Sequence, residues 1–506
     1  MVSFLKKLLI LSFFGFAACT TQNTVEEGPW YEKSVIFPPG ASLEEKLKMA
    51  ARVCPDSQQL EWQKLEMTAF IHFTVNTFTG LEWGEGDESP EKFNPTEFDA
   101  GQWAEIISDA GMKMIILTCK HHDGFCLWPT KTTNHSVKYS SWKAGRGDVV
   151  REVKEACDEH GLKFGVYLSP WDRNAESYGN SPVYNSFFME QLKELLTWYG
   201  DIDEVWFDGA NGEGPNGKVQ VYDWEAYYRL IDKYQPNAVT AIMGEDIRWV
   251  GTESGYGRET EWSVTAYAPG GSEQSKSINQ QLGLEATSPD LGSRELIEKA
   301  DRVFWYPAEV DVSIRPGWFY HKEQDDKVKS LEKLVDIYFS SVGRNAVLLL
   351  NIPPDTRGLI HENDEKSLRE LKAYLDKTFE ENIAFRAFTR YPGARKSVDG
   401  KYDTYTYIEE FPAEIEYKFP FEREFNVFMI QEYIPKGQRI ESFVLEGFTN
   451  DEWVELASST TVGYKKLMRF PLFKTDRIRL TISRSRDNAM ISELGLFLTP
   501  DSIISP

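Results

Sequence analysis

The chain has 506 residues and a formal net charge of −23. That balance argues against nucleic acid and anionic membrane surfaces as partners and suits a protein that handles neutral ligands. The length allows two or three domains, and the 15 Trp and 23 Tyr fit a surface that stacks on sugars, although a large core also uses aromatics.

Residues 1–19 read as a lipoprotein signal peptide. Lys6 and Lys7 form the charged start, and the apolar run from Leu8 to Phe16 is too short to span a bilayer. Phe16-Ala-Ala-Cys19 resembles a lipobox, which makes Cys19 the lipidated first residue of the mature chain. Residues 20–64 follow as a polar tether and lead-in. The expected location is therefore the bacterial cell envelope, periplasmic or outer face, with membrane contact only through the lipid anchor. Cys54, Cys119, Cys126 and Cys157 are too scattered for a disulfide scaffold, and none lies in a CxxC. Cys119 and Cys157 read as buried thiols.

From 65 to 383, short apolar runs alternate with longer amphipathic ones, the pattern of a parallel sheet with crossover helices. Strands are expected at 70–74, 114–119, 164–168, 205–208, 238–243 and 346–351. Two less distinct ones are expected near Trp262 and at 303–306. Helices are expected at 102–109, 148–160, 184–199, 224–234, 326–341 and 364–379, with Gly111 and Gly161 as stops. Eight strand–helix units over roughly 320 residues suit a (β/α)8 TIM-like barrel with long rim loops. From 384 to 506 the period changes to two, with short alternating runs such as 413–419, 442–446, 453–456, 477–482 and 494–498. That pattern predicts an antiparallel β-sandwich, similar in outline to a carbohydrate-binding module or simply packed on the barrel.

The chemistry is expected where barrel strands end. Glu204-Val-Trp-Phe-Asp208 is a strand closing on a carboxylate, and Gly209 turns the chain. Asp208 is the candidate nucleophile. His121 and His122 leave the second strand, and His72 leaves the first. Adjacent strand residues point to opposite sides, so the histidine pair does not grip one metal. No metal site or cofactor is expected, and there is no GxSxG, P-loop, HExxH or EF-hand spacing. Tyr167, Trp171 and Trp318 are rim aromatics that can stack or donate. Glu309 and Arg315 are candidates to pair with each other. A retaining glycosidase needs a second carboxylate as acid/base. Glu245, Asp246, Glu253, Glu259 and Glu261 all follow the fifth strand, and their types alone do not choose among them.

With these residues in place, the chain resembles the α-L-fucosidases of glycoside hydrolase family 29. The matching motifs are Phe70-Ile-His72-Phe, Lys120-His-His-Asp-Gly-Phe-Cys-Leu-Trp128, Phe164-Gly-Val-Tyr167 and Trp206-Phe-Asp208. The resemblance implies a retaining mechanism with Asp208 as nucleophile. It also implies a fucose pocket lined by His72, His121, His122, Tyr167 and Trp206, with Trp206 or Trp318 as the apolar wall for the sugar's methyl group. Ser169-Pro-Trp-Asp-Arg173, 205–211 and Arg248-Trp-Val-Gly-Thr-Glu253 are similar to the branch acting on α-1,3/1,4-linked fucose of branched glycans. In that branch Glu253 takes the acid/base place, with Glu261 as second choice. Thr252 stands before it where the branch leads one to expect Asn. The implied partner is a fucosylated oligosaccharide. Two rival readings stay open: a glycan-binding lipoprotein without turnover, and a retaining glycosidase for another sugar.

Overall fold

The computed structural model describes residues 31–500. The signal segment, Cys19 and the first part of the tether lie outside the described residues. The rest of the lead-in is ordered, with a strand at Ser34–Ile36 and helices at Leu43–Ala50 and Ser57–Gln63.

Eight parallel strands form the barrel, in chain order Met67–Ile71, Met114–Lys120, Lys163–Leu168, Glu204–Phe207, Val239–Ile242, Arg248–Trp249, Ala308–Ser313 and Ala346–Asn351. The sheet closes through a parallel bridge between Ala241 and Ile247, which joins the fifth strand to the sixth. The helices are set by their ends. Asp99 and Asp148 accept from backbone N–H groups at the starts of Ala100–Asp109 and Val149–His160, and Gly161 ends the latter at φ 68°.

Alternation along each strand sorts side chains between helices and barrel axis. Phe70, Met114, Ile116, Tyr167, Trp206, Val239, Ala241, Val347 and Leu349 share one cluster, the barrel interior. The outward residues pack with the surrounding helices in a larger core that holds Ile71, Ile115, Leu117, Val166, Val205 and Leu350.

Two expected barrel strands are corrected. Val264–Thr265 and Arg302–Trp305 are strands, but they pair with each other and with Ser34–Ile36 in a separate three-stranded antiparallel sheet. The sixth barrel strand is instead Arg248–Trp249, too short for any period to show. The seventh is Ala308–Ser313, whose Glu309 and Asp311 break the apolar run. Buried carboxylates inside a barrel look like a loop to a hydrophobicity pattern. The first strand also begins three residues earlier than expected, which leaves His72 just past its end.

The C-terminal part is a six-stranded antiparallel sheet. Its two long strands, Ala413–Glu432 and Lys466–Ser485, shift register between Lys418 and Arg423 and again between Phe425 and Val427. Ile415 and Tyr417 before the shift and Phe428 and Ile430 after it enter the same core, so the sheet folds over on itself. It joins the barrel by backbone hydrogen bonds, Asn345 N to Lys465 O at 3.0 Å and Leu467 N to Gly343 O at 2.9 Å. Phe497 lies against Phe379 with ring centroids 4.9 Å apart.

Phe497 is 5% exposed, so Phe497→Ala is expected to destabilise the protein by about 3–5 kcal/mol in chemical denaturation. A loss under about 1 kcal/mol would mean that this contact does not hold the sheet to the barrel.

Candidate active site

The pocket lies one register step beyond the barrel interior. Residues 204, 206 and 208 share a parity, so after the inward Glu204 and Trp206 the next inward side chain is Asp208. The same step carries Phe70 to His72, Tyr167 to Ser169, Leu349 to Asn351 and Glu309 to Asp311. The second strand arrives differently. Its register with the third shifts between Thr118 and Lys120. Lys120 then turns toward the helices, where its Nζ meets Asp172 at 2.9 Å and Gln191 at 2.9 Å. His121 and His122 are thereby freed for the pocket.

Asp208 accepts the Tyr167 hydroxyl at 3.1 Å on one oxygen and the Ala210 N–H at 2.7 Å on the other. His122 Nε2 lies 3.8 Å from the same oxygen that Tyr167 contacts. The Asp208 side chain stays 25% exposed, open to a ligand.

Neighbouring groups set the protons on two histidines. Ser169 gives its own proton to Trp171 O at 2.7 Å, so it accepts from His122 Nδ1 at 2.7 Å. Asn351 Nδ2 donates to Ser313 Oγ and Trp318 O, each at 2.8 Å, so its carbonyl oxygen accepts from His72 Nδ1 at 2.8 Å. Neutral His72 and His122 therefore each keep a lone pair on Nε2, suited to accept from a hydroxyl. Burial pushes His72 down to about 3, the Asn351 contact opposes this, and His122 adds to it. Burial lowers His121 and His122 as well. His121 Nδ1 is buried without a partner among the described residues, a donor or acceptor left for a bound molecule.

The walls are aromatic. Trp206 packs on Tyr167 and Phe70 at centroid distances of 5.1 and 5.0 Å. Its Nε1 donates to Glu309 at 2.8 Å. Trp318 lies 5.1 Å from the His72 ring. Trp318 Nε1 donates to Glu253 at 3.2 Å, and its backbone N–H donates to Glu82 at 2.8 Å. Burial raises the Glu253 pKa, the Trp318 N–H opposes this, and Asp208 and Glu82 push it further up. The site thus holds an open carboxylate and, facing its charge, a carboxyl biased toward its protonated form.

His72, His121, His122, Tyr167, Trp206, Asp208, Glu253 and Trp318 come together as expected. Glu261 does not. Its side chain is 1% exposed and pairs with Arg248 and with Arg258 Nη1, the latter at 3.3 Å. Its backbone donates to Thr461 at 3.0 Å and accepts from Gln438 at 3.0 Å, both from the C-terminal sheet. Glu309 and Arg315 do not pair either. Arg315 grips Asp364 and Asp325 at 2.7 and 2.9 Å.

Several pocket residues were not singled out from sequence. Asn351 and Ser169 were legible by parity. Asp311 lies near Asp208 and Glu253, accepts from Trp249 Nε1 at 2.8 Å and is pushed up to about 7 by burial. Glu82 and Trp83 come from an irregular loop after the first strand, where no pattern marks them. Trp83 is 57% exposed and sits edge-on to Trp171 and His122 at the pocket mouth. No cluster of three or more metal-ligating side chains occurs among the described residues.

A barrel whose rim pocket holds two carboxyl groups amid aromatic walls is an arrangement that glycoside hydrolases use. The α-L-fucosidase family model matches residues 49–380, and the chain belongs to that family. It is 41% identical over 460 residues to Alpha-L-fucosidase 1 of Arabidopsis thaliana, covering 88% of this chain and 87% of the relative. A crystal structure from Bacteroides ovatus superposes with a TM-score of 0.88 at 53% identity, covering 94% of this chain and 80% of that one. A Ruminococcus gnavus GH29 fucosidase in complex with fucose gives 0.78 at 31% identity, covering 89% and 95%.

If Glu261 is structural, Glu261→Gln leaves two arginines short of a counter-charge and costs about 3–5 kcal/mol of stability. The turnover number of the protein that stays folded is expected to be unchanged. A drop in kcat of more than about 100-fold with unchanged stability would contradict this.

Proposed function

We propose that this α-L-fucosidase family member is a retaining enzyme that releases terminal α-1,3/1,4-linked L-fucose from branched glycans by a two-step covalent mechanism. The observation that carries the reading is the pairing of Asp208 with Glu253. Asp208 is open to the pocket and fixed by Tyr167 and its own turn. Glu253 has its proton favoured by burial and by the charge of Asp208.

In the first step Asp208 attacks the anomeric carbon of fucose, and the C–O bond to the aglycone breaks. Glu253 passes its proton to the leaving oxygen. In the second step Glu253, now a carboxylate, takes a proton from water, and that water attacks the same carbon. The fucosyl–Asp208 ester opens, fucose leaves with its configuration retained, and both carboxyls return to their starting states. His72 and His122 accept from ring hydroxyls through Nε2, and Trp206 or Trp318 covers the C6 methyl. The histidines stay neutral because they are buried, so they hold the sugar without repelling the positive charge that develops at the anomeric centre. The linkage preference rests on the likeness of the Ser169–Arg173 and Arg248–Glu253 segments to the α-1,3/1,4 branch. In this reading Trp83, exposed beside the buried Trp171, meets the branched aglycone. The protein is proposed to work at the cell envelope, held by a lipid on Cys19.

The test is hydrolysis of a Lewis-type trisaccharide, an α-1,2-fucosyl disaccharide and an aryl fucoside. The expected result is strong preference for the trisaccharide, with Asp208→Ala abolishing turnover and Glu253→Ala hurting poor leaving groups most. Equal cleavage of the disaccharide would sink the linkage reading. Binding without cleavage would favour a glycan-binding protein, and cleavage of another aryl glycoside alone would name another sugar.

A pH profile checks the acid/base assignment. Glu253 must be protonated for the first step, so its pKa sets the basic limb of kcat/KM. Trp318→Phe keeps the ring but removes the N–H that favours the carboxylate. The Glu253 pKa rises, and the basic limb is expected to move up by about 0.5–1 pH unit. A limb that stays put or moves down would exclude Glu253 as the acid.

A further inference from the structure

A second concave site lies away from the catalytic pocket. It opens where the last barrel helix, Glu362–Phe379, runs into the C-terminal sheet. Barrel helices run antiparallel to the strands, so this helix ends at the bottom of the barrel, opposite the rim. Phe379 accordingly lines a hollow with Leu65, Glu66 and Met67 at the start of the first strand. The cleft has a volume of about 860 Å³ and continues past Glu381, Phe421 and Arg423 into a second hollow of about 490 Å³. Sites for small ligands occupy about 300–1,000 Å³, so the joined groove has room for more than one sugar ring.

Phe385, Phe388 and Phe421 line it and are 46%, 50% and 63% exposed. Three exposed phenylalanines around one cleft form an apolar surface that none of the described residues covers. The charges are biased too. Four glutamates line the joined groove. Glu380 pairs with Lys377 at 2.6 Å, Glu381 with Arg423 at 2.6 Å and Glu424 with Lys474 at 3.4 Å, which leaves Glu422, in the second hollow, as the one without an ion pair among the described residues. The Arg386 guanidinium lies over the Phe385 ring at 4.8 Å and that of Arg395 lies over Phe388 at 6.0 Å. Neither makes an ion pair among the described residues. Among the described residues Lys418 pairs with Asp476 alone, at 3.9 Å. In a chain of net charge −23, a cleft with uncommitted cations runs against the whole-protein balance. Arg386 also sits at φ 59°, uncommon for a residue with a long side chain, and its N–H is tied to Val398 O at 2.8 Å. The backbone holds this arginine at the cleft at a local cost.

We propose that this groove is a second glycan-binding site, selective for sugars that carry a carboxylate or a sulfate. The phenylalanines stack on the apolar faces of the rings, and Arg386 with Lys418 takes the anionic group. Elongation of the groove favours an oligosaccharide over a free anion, and its concavity favours a ligand over a flat membrane surface. The site would hold an acidic glycan chain while the rim pocket acts on a neutral terminal sugar.

The test measures binding of sialyllactose, lactose sulfate, neutral lactose and phosphatidylglycerol vesicles to the full chain by calorimetry and ligand-observed NMR. Binding of either acidic saccharide, without binding of lactose, is expected, and the two probes separate carboxylate from sulfate recognition. Phe388→Ala, and Arg386→Asn, which tolerates the positive φ, are each expected to weaken it by about tenfold or more. Aryl fucoside hydrolysis should be unchanged in both, which also reports folding. Phe421→Ala replaces either variant should it lose that activity. No saccharide binding, equal binding of lactose, binding that survives all three variants, or binding of the vesicles alone would overturn the proposal. The binding assay and the hydrolysis assay can each fail without the other, so this site and the catalytic reading are judged separately.

Discussion

The pocket depends on strand parity. A barrel strand presents every second side chain to the axis, and the last inward position at the C-terminal end is the first that a ligand can reach. In the fourth strand that position is Asp208, held above Trp206, which is itself fixed by Glu309 inside the barrel. Shift the strand by one residue and Asp208 faces the helices while Phe207 fills the pocket. Each inward strand-end residue is subject to the same rule, which explains why chemistry from strands far apart in sequence meets at one height.

A second constraint acts on protons. Buried imidazoles must settle their N–H groups, and here Asn351 and Ser169 settle two of them on the side away from the ligand. Both partners are neutral and are themselves held by further hydrogen bonds. His72 and His122 are therefore presented with a defined acceptor atom before any sugar arrives, so binding need not first order them. Charge in the pocket is left to the carboxylates, where the proposed chemistry needs it.

Much of this was legible in the sequence. The second, third, fourth and eighth strands have apolar runs that end in Lys120, Leu168, Phe207 and Asn351, and their ends marked where His121, His122, Tyr167 and Asp208 belong. Gly111 and Gly161 marked the ends of two helices. What stayed hidden had physical causes. Arg248–Trp249 is a two-residue strand, shorter than any period. Ala308–Ser313 places Glu309 and Asp311 inside the barrel, where burial shifts their protonation instead of excluding them. The apolar 303–306 run was a strand, but of another sheet, because hydrophobicity reports burial and not partner. Among the acids after the fifth strand, composition could not separate Glu253 from Glu261. The difference is tertiary: one meets Trp318 in the pocket, and the other is locked between two arginines under the C-terminal sheet.

That lock also gives the C-terminal sheet a role in the site. The segment after Glu253 is pinned through Glu261 to Thr461 and Gln438, so the loop bearing the proposed acid is anchored to the sheet at its far end. The central claim, that Asp208 carries the sugar between the two steps, is tested most directly by trapping. The protein is incubated with a 2-deoxy-2-fluoro-fucosyl fluoride, and its intact mass and peptic peptides are measured. The account predicts a single fluorofucosyl adduct on the peptide containing Asp208. Turnover of the natural substrate with no adduct, or an adduct on another carboxylate, would contradict it.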